Sequence, residues 1–165
     1  MRSFPLTPPS PHGGEDKGEG HSEIRTPNSE FDMIFGIGID IVNIERIEHL
    51  MKRWGDLFIG RVFTEREILW CQRKAKPSES FAICFAAKEA FLKAIGTGLR
   101  KGISWTDVEV EHEPSGKPHL SFRRRAKELI QANRIEGSFV TLSHDRPFAV
   151  AHVVLEGKQN EGSNR

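Results

Sequence analysis

The sequence predicts an α+β domain in which helices pack on a largely antiparallel sheet. Three observations carry that reading. Apolar runs of strand length stand at both ends of the foldable segment, and the last two form a hairpin. Helices with clear start signals lie between them. Strands and helices are mixed without a repeating βαβ unit, which disfavours a parallel sheet.

The elements follow in order. Met33 to Val42 (MIFGIGIDIV) is apolar and β-branched, the composition of a strand. Gly36 and Gly38 interrupt it, and glycine inside a strand often marks a close approach to the backbone. Asn43 is placed to cap a helix running to about Trp54, with Ile47, Leu50, Met51 and Trp54 as its apolar stripe. Thr64 and Glu67 form the S/T-x-x-E capping box of a second helix. Pro77 and Ser78 break the chain. From about Glu79 to Ile95 alanines dominate, with Phe81, Phe85, Leu92 and Ile95 along one side, and Gly96 supplies the stop. Asp107 to Glu111 alternates as a strand, Pro114-Ser115-Gly116 turns, and His119 to Phe122 returns. Arg123 to Asn133 is a short helix. Ser138 to Ser143 and Phe148 to Leu155 pair as a hairpin through His144-Asp145-Arg146-Pro147.

The 165 residues suit one domain, and 37% hydrophobic content supports a core. The average hides a boundary. Residues 1–32 hold five of the nine prolines and three Lys/Arg against six Asp/Glu, a net of −3 that leaves +4 on the other 133 residues. Such a segment buries too little apolar surface to offset its ordering entropy, so it is expected to be a disordered N-terminal extension. Met33 is then the expected true start, or the leader is dispensable. The domain is expected over 33–156, followed by a flexible tail over 157–165. A net charge of +1 argues against a nucleic-acid binder. No run approaches 18 apolar residues, so no membrane span is expected, and no secretory signal opens the chain. Cys71 and Cys84 form neither a disulfide scaffold nor a CxxC pair, which suits a reducing cytoplasm.

Few residues could do chemistry. Asp40 sits in an otherwise apolar strand, where a carboxylate is costly without a partner; a strand-end turn would also explain it. Glu89 stands mid-helix among residues that want to be inside, although an exposed i,i+4 pair with Lys93 is the simpler account of it alone. Together the two acids suggest a site for a hard cation such as Mg2+. Lys88, Lys93 and the Gly96-Thr97-Gly98 loop could offer charge and backbone N–H groups to phosphates, though the Walker A spacing is absent. Ser143-His144-Asp145 is a triad in letters only, because adjacent residues in a turn do not align. Arg123 to Arg125 reads as the solvated side of a helix, and His112, His119 and His152 lack metal spacing.

Four segments occur in order: GIGIDIVNIERI (Gly36 to Ile47), FAAKEAFLKAIGTG (Phe85 to Gly98), SGKPHL (Ser115 to Leu120) and LSHDRPFAVA (Leu142 to Ala151). With them the chain resembles the holo-acyl-carrier-protein synthase family, the short bacterial type of 4′-phosphopantetheinyl transferase. The resemblance implies that fold and one reaction. The phosphopantetheine arm of coenzyme A passes to a serine of apo acyl carrier protein, for fatty acid biosynthesis, releasing adenosine 3′,5′-bisphosphate. It also implies Mg2+ and a homotrimer with active sites between subunits. Its metal ligands fall on Asp40 and Glu89, its phosphate-contacting lysine on Lys93, and its coenzyme A histidine on His144, beside Ser143. Glu89 is also the candidate base for the carrier serine. Cys84 stands where many relatives carry arginine. Because carrier proteins of this kind are acidic, Arg46 and Arg53 with Leu50 between them form the candidate carrier-binding face. The rivals are another Mg2+-dependent phosphotransferase or pyrophosphatase, a non-catalytic carrier-binding module, and a nucleic-acid module on Arg123 to Arg125.

Overall fold

The computed structural model describes residues 32–158; the expected disordered leader lies outside them except for Asp32, as does most of the expected tail. Two antiparallel sheets and five helices make up the domain. Strand β1 (Asp32–Asn43) pairs with β5 (Phe148–Lys158), which pairs with β4 (Ile135–Asp145), in the order β1-β5-β4. A smaller ribbon joins β2 (Val108–His112) to β3 (Pro118–Phe122). The α+β class and the antiparallel pairing follow the sequence. β5 runs on through Gly157 and Lys158, which the sequence places in the tail. Met33 and Ile135 both pair with Gly157, and that pairing from both sides holds the strand end.

Helix α1 (Ile44–Trp54) starts where Asn43 predicts, with the Asn43 side chain accepting the Arg46 N–H at 3.2 Å. Ile47 is buried, but Trp54 is 51% exposed with the Arg53 guanidinium 5.2 Å above its ring, so the last turn leaves the core. Gly55 (φ +51) breaks the chain, and α2 (Asp56–Val62) follows, a helix the sequence does not signal because it is short and contains Gly60. Helix α3 (Glu65–Gln72) begins at the predicted capping box. Helix α5 (Arg124–Ala132) lies against β4.

The organising element is α4 (Pro77–Ala94), which lies across β1 and β5. The sequence places its apolar residues along one side. Instead, from Glu79 onward every residue is buried except Glu89 and Lys93. A helix enclosed on all sides needs apolar residues all round, which the alanine-phenylalanine run supplies. The two strand glycines explain how close it lies. A Cβ on Gly36 would collide with the Ala94 carbonyl oxygen, and one on Gly38 with the Ala90 carbonyl oxygen. Without side chains at these two positions, the helix backbone rests on the strand backbone.

Candidate active site

That close packing builds the acid pair. Asp40 follows Gly38 by two residues, so it leaves the same face of β1, towards α4. Glu89 and Lys93, one helical turn apart, are the two solvent-reaching residues of this part of α4. Lys93 Nζ lies 2.7 Å from Asp40 Oδ1 and donates also to the Ile39 carbonyl at 2.9 Å. Burial raises the Glu89 pKa and the Asp40 charge raises it further, while Lys93 and Arg46 pull the other way. Residues far apart in sequence thus share one electrostatic site. Lys93 balances Asp40, rather than pairing with Glu89 as helix spacing alone would suggest. Among the described residues no cluster of three or more His, Cys, Asp or Glu could hold a metal. Two carboxylates are nevertheless a sufficient protein share for Mg2+, which commonly takes its remaining ligands from water and substrate phosphate. A half-buried carboxyl raised by a neighbouring carboxylate is the electrostatic state that a divalent cation relieves.

Other predicted positions fall differently. Lys88 is fully enclosed and does not face a ligand. Its ammonium lies 2.8 Å from Glu67 Oε2, 2.9 Å from the Trp105 carbonyl and 2.6 Å from the Val108 carbonyl. Glu67 also accepts the Thr64 N–H at 2.8 Å and the Val110 N–H at 2.9 Å. The pair therefore joins α3, α4 and β2 as an internal strut, not as a phosphate contact. One signal for this was available: Lys88 stands in the part of α4 that is apolar on every side. In the Gly96-Thr97-Gly98 loop, both glycines have positive φ. Their N–H groups donate to the Lys93 and Leu92 carbonyls, so they close the helix end rather than face a phosphate. Thr97 Oγ1 donates to the Gly98 carbonyl at 3.1 Å.

Ser143 and His144 are neighbours on β4, so their side chains leave opposite faces of the sheet. Only His144 turns towards α4, where Nε2 lies 3.4 Å from Glu79 Oε2. Cys84 is fully buried with its Sγ 3.9 Å from Cys71 Sγ, so it does not replace the missing arginine as a surface contact. Its thiol is pushed well up by Cys71 and by burial. On α1, Arg46 and Arg53 are exposed as expected, but Leu50 is half-buried against the core. A concavity of about 360 Å³ runs along β4 on the His144 side, lined by Trp70, Ile83, His112, Lys117, Pro118 and Leu142. The SGKPHL segment supplies Gly116, Lys117 and Pro118 to its lining, a role that sequence spacing did not reveal.

Comparison with known proteins agrees with this geometry. Residues 36–151 match the 4′-phosphopantetheinyl transferase superfamily. A holo-[acyl-carrier-protein] synthase of a Geobacter species is 49% identical over 124 residues, 75% of this chain and 99% of the relative. The crystal structure of the Neisseria meningitidis holo-[acyl-carrier-protein] synthase superposes with a TM-score of 0.70 at 36% identity, over 74% of this chain and 98% of that one. The Helicobacter pylori holo-[acyl-carrier-protein] synthase, solved in complex with coenzyme A, gives 0.65 at 38% identity over 72% and 98%. With β1 and α4 bringing Asp40, Glu89 and Lys93 together inside the matched region, the chain belongs to the 4′-phosphopantetheinyl transferase superfamily.

Proposed function

We propose that this protein transfers the 4′-phosphopantetheine group of coenzyme A to a serine of apo acyl carrier protein, leaving adenosine 3′,5′-bisphosphate. The convergence of Asp40, Glu89 and Lys93 carries this reading, in a chain that is 49% identical over 124 residues to a holo-[acyl-carrier-protein] synthase. Attack on a pyrophosphate builds negative charge on phosphoryl oxygens, so positioning and charge matter more than protein covalency. Asp40 and Glu89 are the residues to hold Mg2+, which supplies charge stabilisation at the pyrophosphate. Lys93, held on Asp40 and the Ile39 carbonyl, adds a positive charge at the same point. Arg46 lies near enough to act on Glu89, so the carrier-facing helix borders the acid site. The nucleophile is the carrier's own serine, and Glu89 is the candidate base for its proton. The concavity beside β4 is within the usual size for burying part of a ligand, and Leu142 in its lining stands two residues before His144 on β4, which suits the nucleotide end of coenzyme A.

The same reading includes a homotrimer working in the cytoplasm. The outer face of the large sheet supports self-association, because Ile37, Ile39 and Ile41 of β1 and Phe139 of β4 are all more than half exposed. An apolar stripe of that kind is costly to leave in water. No helix of the described residues is long and apolar enough to cross a membrane. The decisive experiment incubates the protein with apo acyl carrier protein, coenzyme A and Mg2+ and weighs the carrier. Transfer adds the phosphopantetheine mass, and Asp40→Ala or Glu89→Ala abolishes the gain while the circular dichroism spectrum stays native. An unchanged carrier mass with coenzyme A consumed favours a hydrolase instead.

A further inference from the structure

We propose that Glu79 is the positioning residue for His144, and that Arg146 locks it in that role. The inference rests on the coenzyme A reading of His144 given above. His144 stands next to the end of β4 with 45% of its side chain exposed, so little packing fixes its ring. Its Nε2 faces Glu79 Oε2 at 3.4 Å, an ion-pair distance that a small turn of the ring converts to a hydrogen bond. Glu79 comes from the first turn of α4, where its side chain is only 11% exposed. Its second oxygen, Oε1, accepts Arg146 Nε at 2.6 Å and lies 3.4 Å from Lys76 Nζ. One carboxylate oxygen is thus held by cations while the other is presented to the imidazole.

The clamp extends further. Arg146 Nη2 reaches Glu48 Oε1 on α1 at 3.1 Å, and that oxygen also accepts the Ser78 hydroxyl at 2.7 Å. The neighbouring Pro147 carbonyl accepts the N–H of Ile44, the first residue of α1, at 2.9 Å. The Arg146-Pro147 turn that follows His144 and Asp145 is therefore fastened to α1 and to the first turn of α4. The hydrogen bond from Arg146 is the main reason that the Glu79 carboxyl titrates below its ordinary value. A held carboxylate beside Nε2 favours the proton on that nitrogen and draws the ring towards it, leaving Nδ1 for a ligand.

The test is a double-mutant cycle on transfer by the full chain, with coenzyme A and carrier varied separately. Glu79→Gln keeps the shape and weakens the acceptor. It is expected to raise the coenzyme A KM roughly tenfold, the lower end of what losing the partner of a ligating histidine costs. The carrier KM and kcat stay near wild type. In a His144→Ala background the same substitution has no further effect, because its only route of action is gone. Glu79→Asp restores part of the coenzyme A KM. An undiminished loss in the His144→Ala background, or a wild-type KM in well-folded Glu79→Gln, overturns the proposal. If Glu79→Gln does not fold, Arg146→Gln loosens the carboxylate without removing it and enters the same cycle, with the same outcomes decisive. A wild-type protein that transfers nothing refutes the function instead. Calorimetric titration of coenzyme A into the same proteins then decides the role of Glu79 on its own.

Discussion

Replacing Lys88 with methionine keeps the length of the side chain and deletes its charge. The lysine is enclosed, and its three contacts at 2.6–2.9 Å are the Glu67 carboxylate and two backbone carbonyls. Removing it leaves the Glu67 carboxylate buried without a cation, which costs about 3–5 kcal/mol. That is a large part of the ~5–15 kcal/mol available to a typical domain. Taking about 4 kcal/mol and a urea slope of about 2 kcal/mol per molar, the midpoint should fall by about 2 M. Tryptophan fluorescence reads the transition, since Trp70 lies on α3 and the Trp105 carbonyl accepts directly from Lys88. Adding Glu67→Gln to Lys88→Met recovers part of the loss: the buried charge is gone and the amide oxygen can still accept from Val110. A phosphate-binding lysine would behave oppositely. An unshifted midpoint with a coenzyme A KM raised tenfold would refute the strut.

Gly38→Ala forces a methyl against the Ala90 carbonyl, so α4 must lift; we expect about 1–3 kcal/mol of destabilisation by thermal melting and a sharp fall in transfer. Mg2+ should raise the melting temperature of the wild type but not of Asp40→Asn/Glu89→Gln, and chelation should stop transfer reversibly. Arg46→Glu should raise the carrier KM much more than the coenzyme A KM in low salt, with the gap shrinking as salt is added. His112 titrates below its ordinary value, chiefly through burial, and its ring stacks on Trp70 at 3.9 Å. Its folded pKa is depressed, so the unfolded chain takes up the proton first. Stability is therefore unaffected above 6.5 and declines as pH falls from there towards the folded pKa. Urea midpoints across that window should decline less in His112→Gln.

The elements legible in the sequence were those with local causes. The Asn43 cap, the Thr64–Glu67 box and the Gly96 stop act within a few residues, and each lies where composition placed it. The strand glycines foretold a close contact but not its partner, since Ala90 and Ala94 meet them only through the tertiary fold. Asp40 and Glu89 were legible as carboxylates out of place among apolar residues. Lys88 stood out in the same way and was misassigned, because an apolar neighbourhood marks a buried ion without saying whether its partner is a ligand or Glu67. The Glu79–Arg146 clamp left no mark at all. A glutamate in a helix's first turn and an arginine in a hairpin turn look like ordinary surface residues until the chain brings them 2.6 Å apart.

Strand β1 has two duties divided by parity. Its even-numbered residues Gly36, Gly38 and Asp40 admit the helix and face the acid pair, and its odd-numbered isoleucines face outwards. Sliding β1 by a single position would exchange the two sets, driving branched side chains into α4 and turning the carboxylate to the outside. The acid pair and the exposed isoleucine face are therefore set together, in the one step that aligns this strand on β5, and a misaligned chain would have neither.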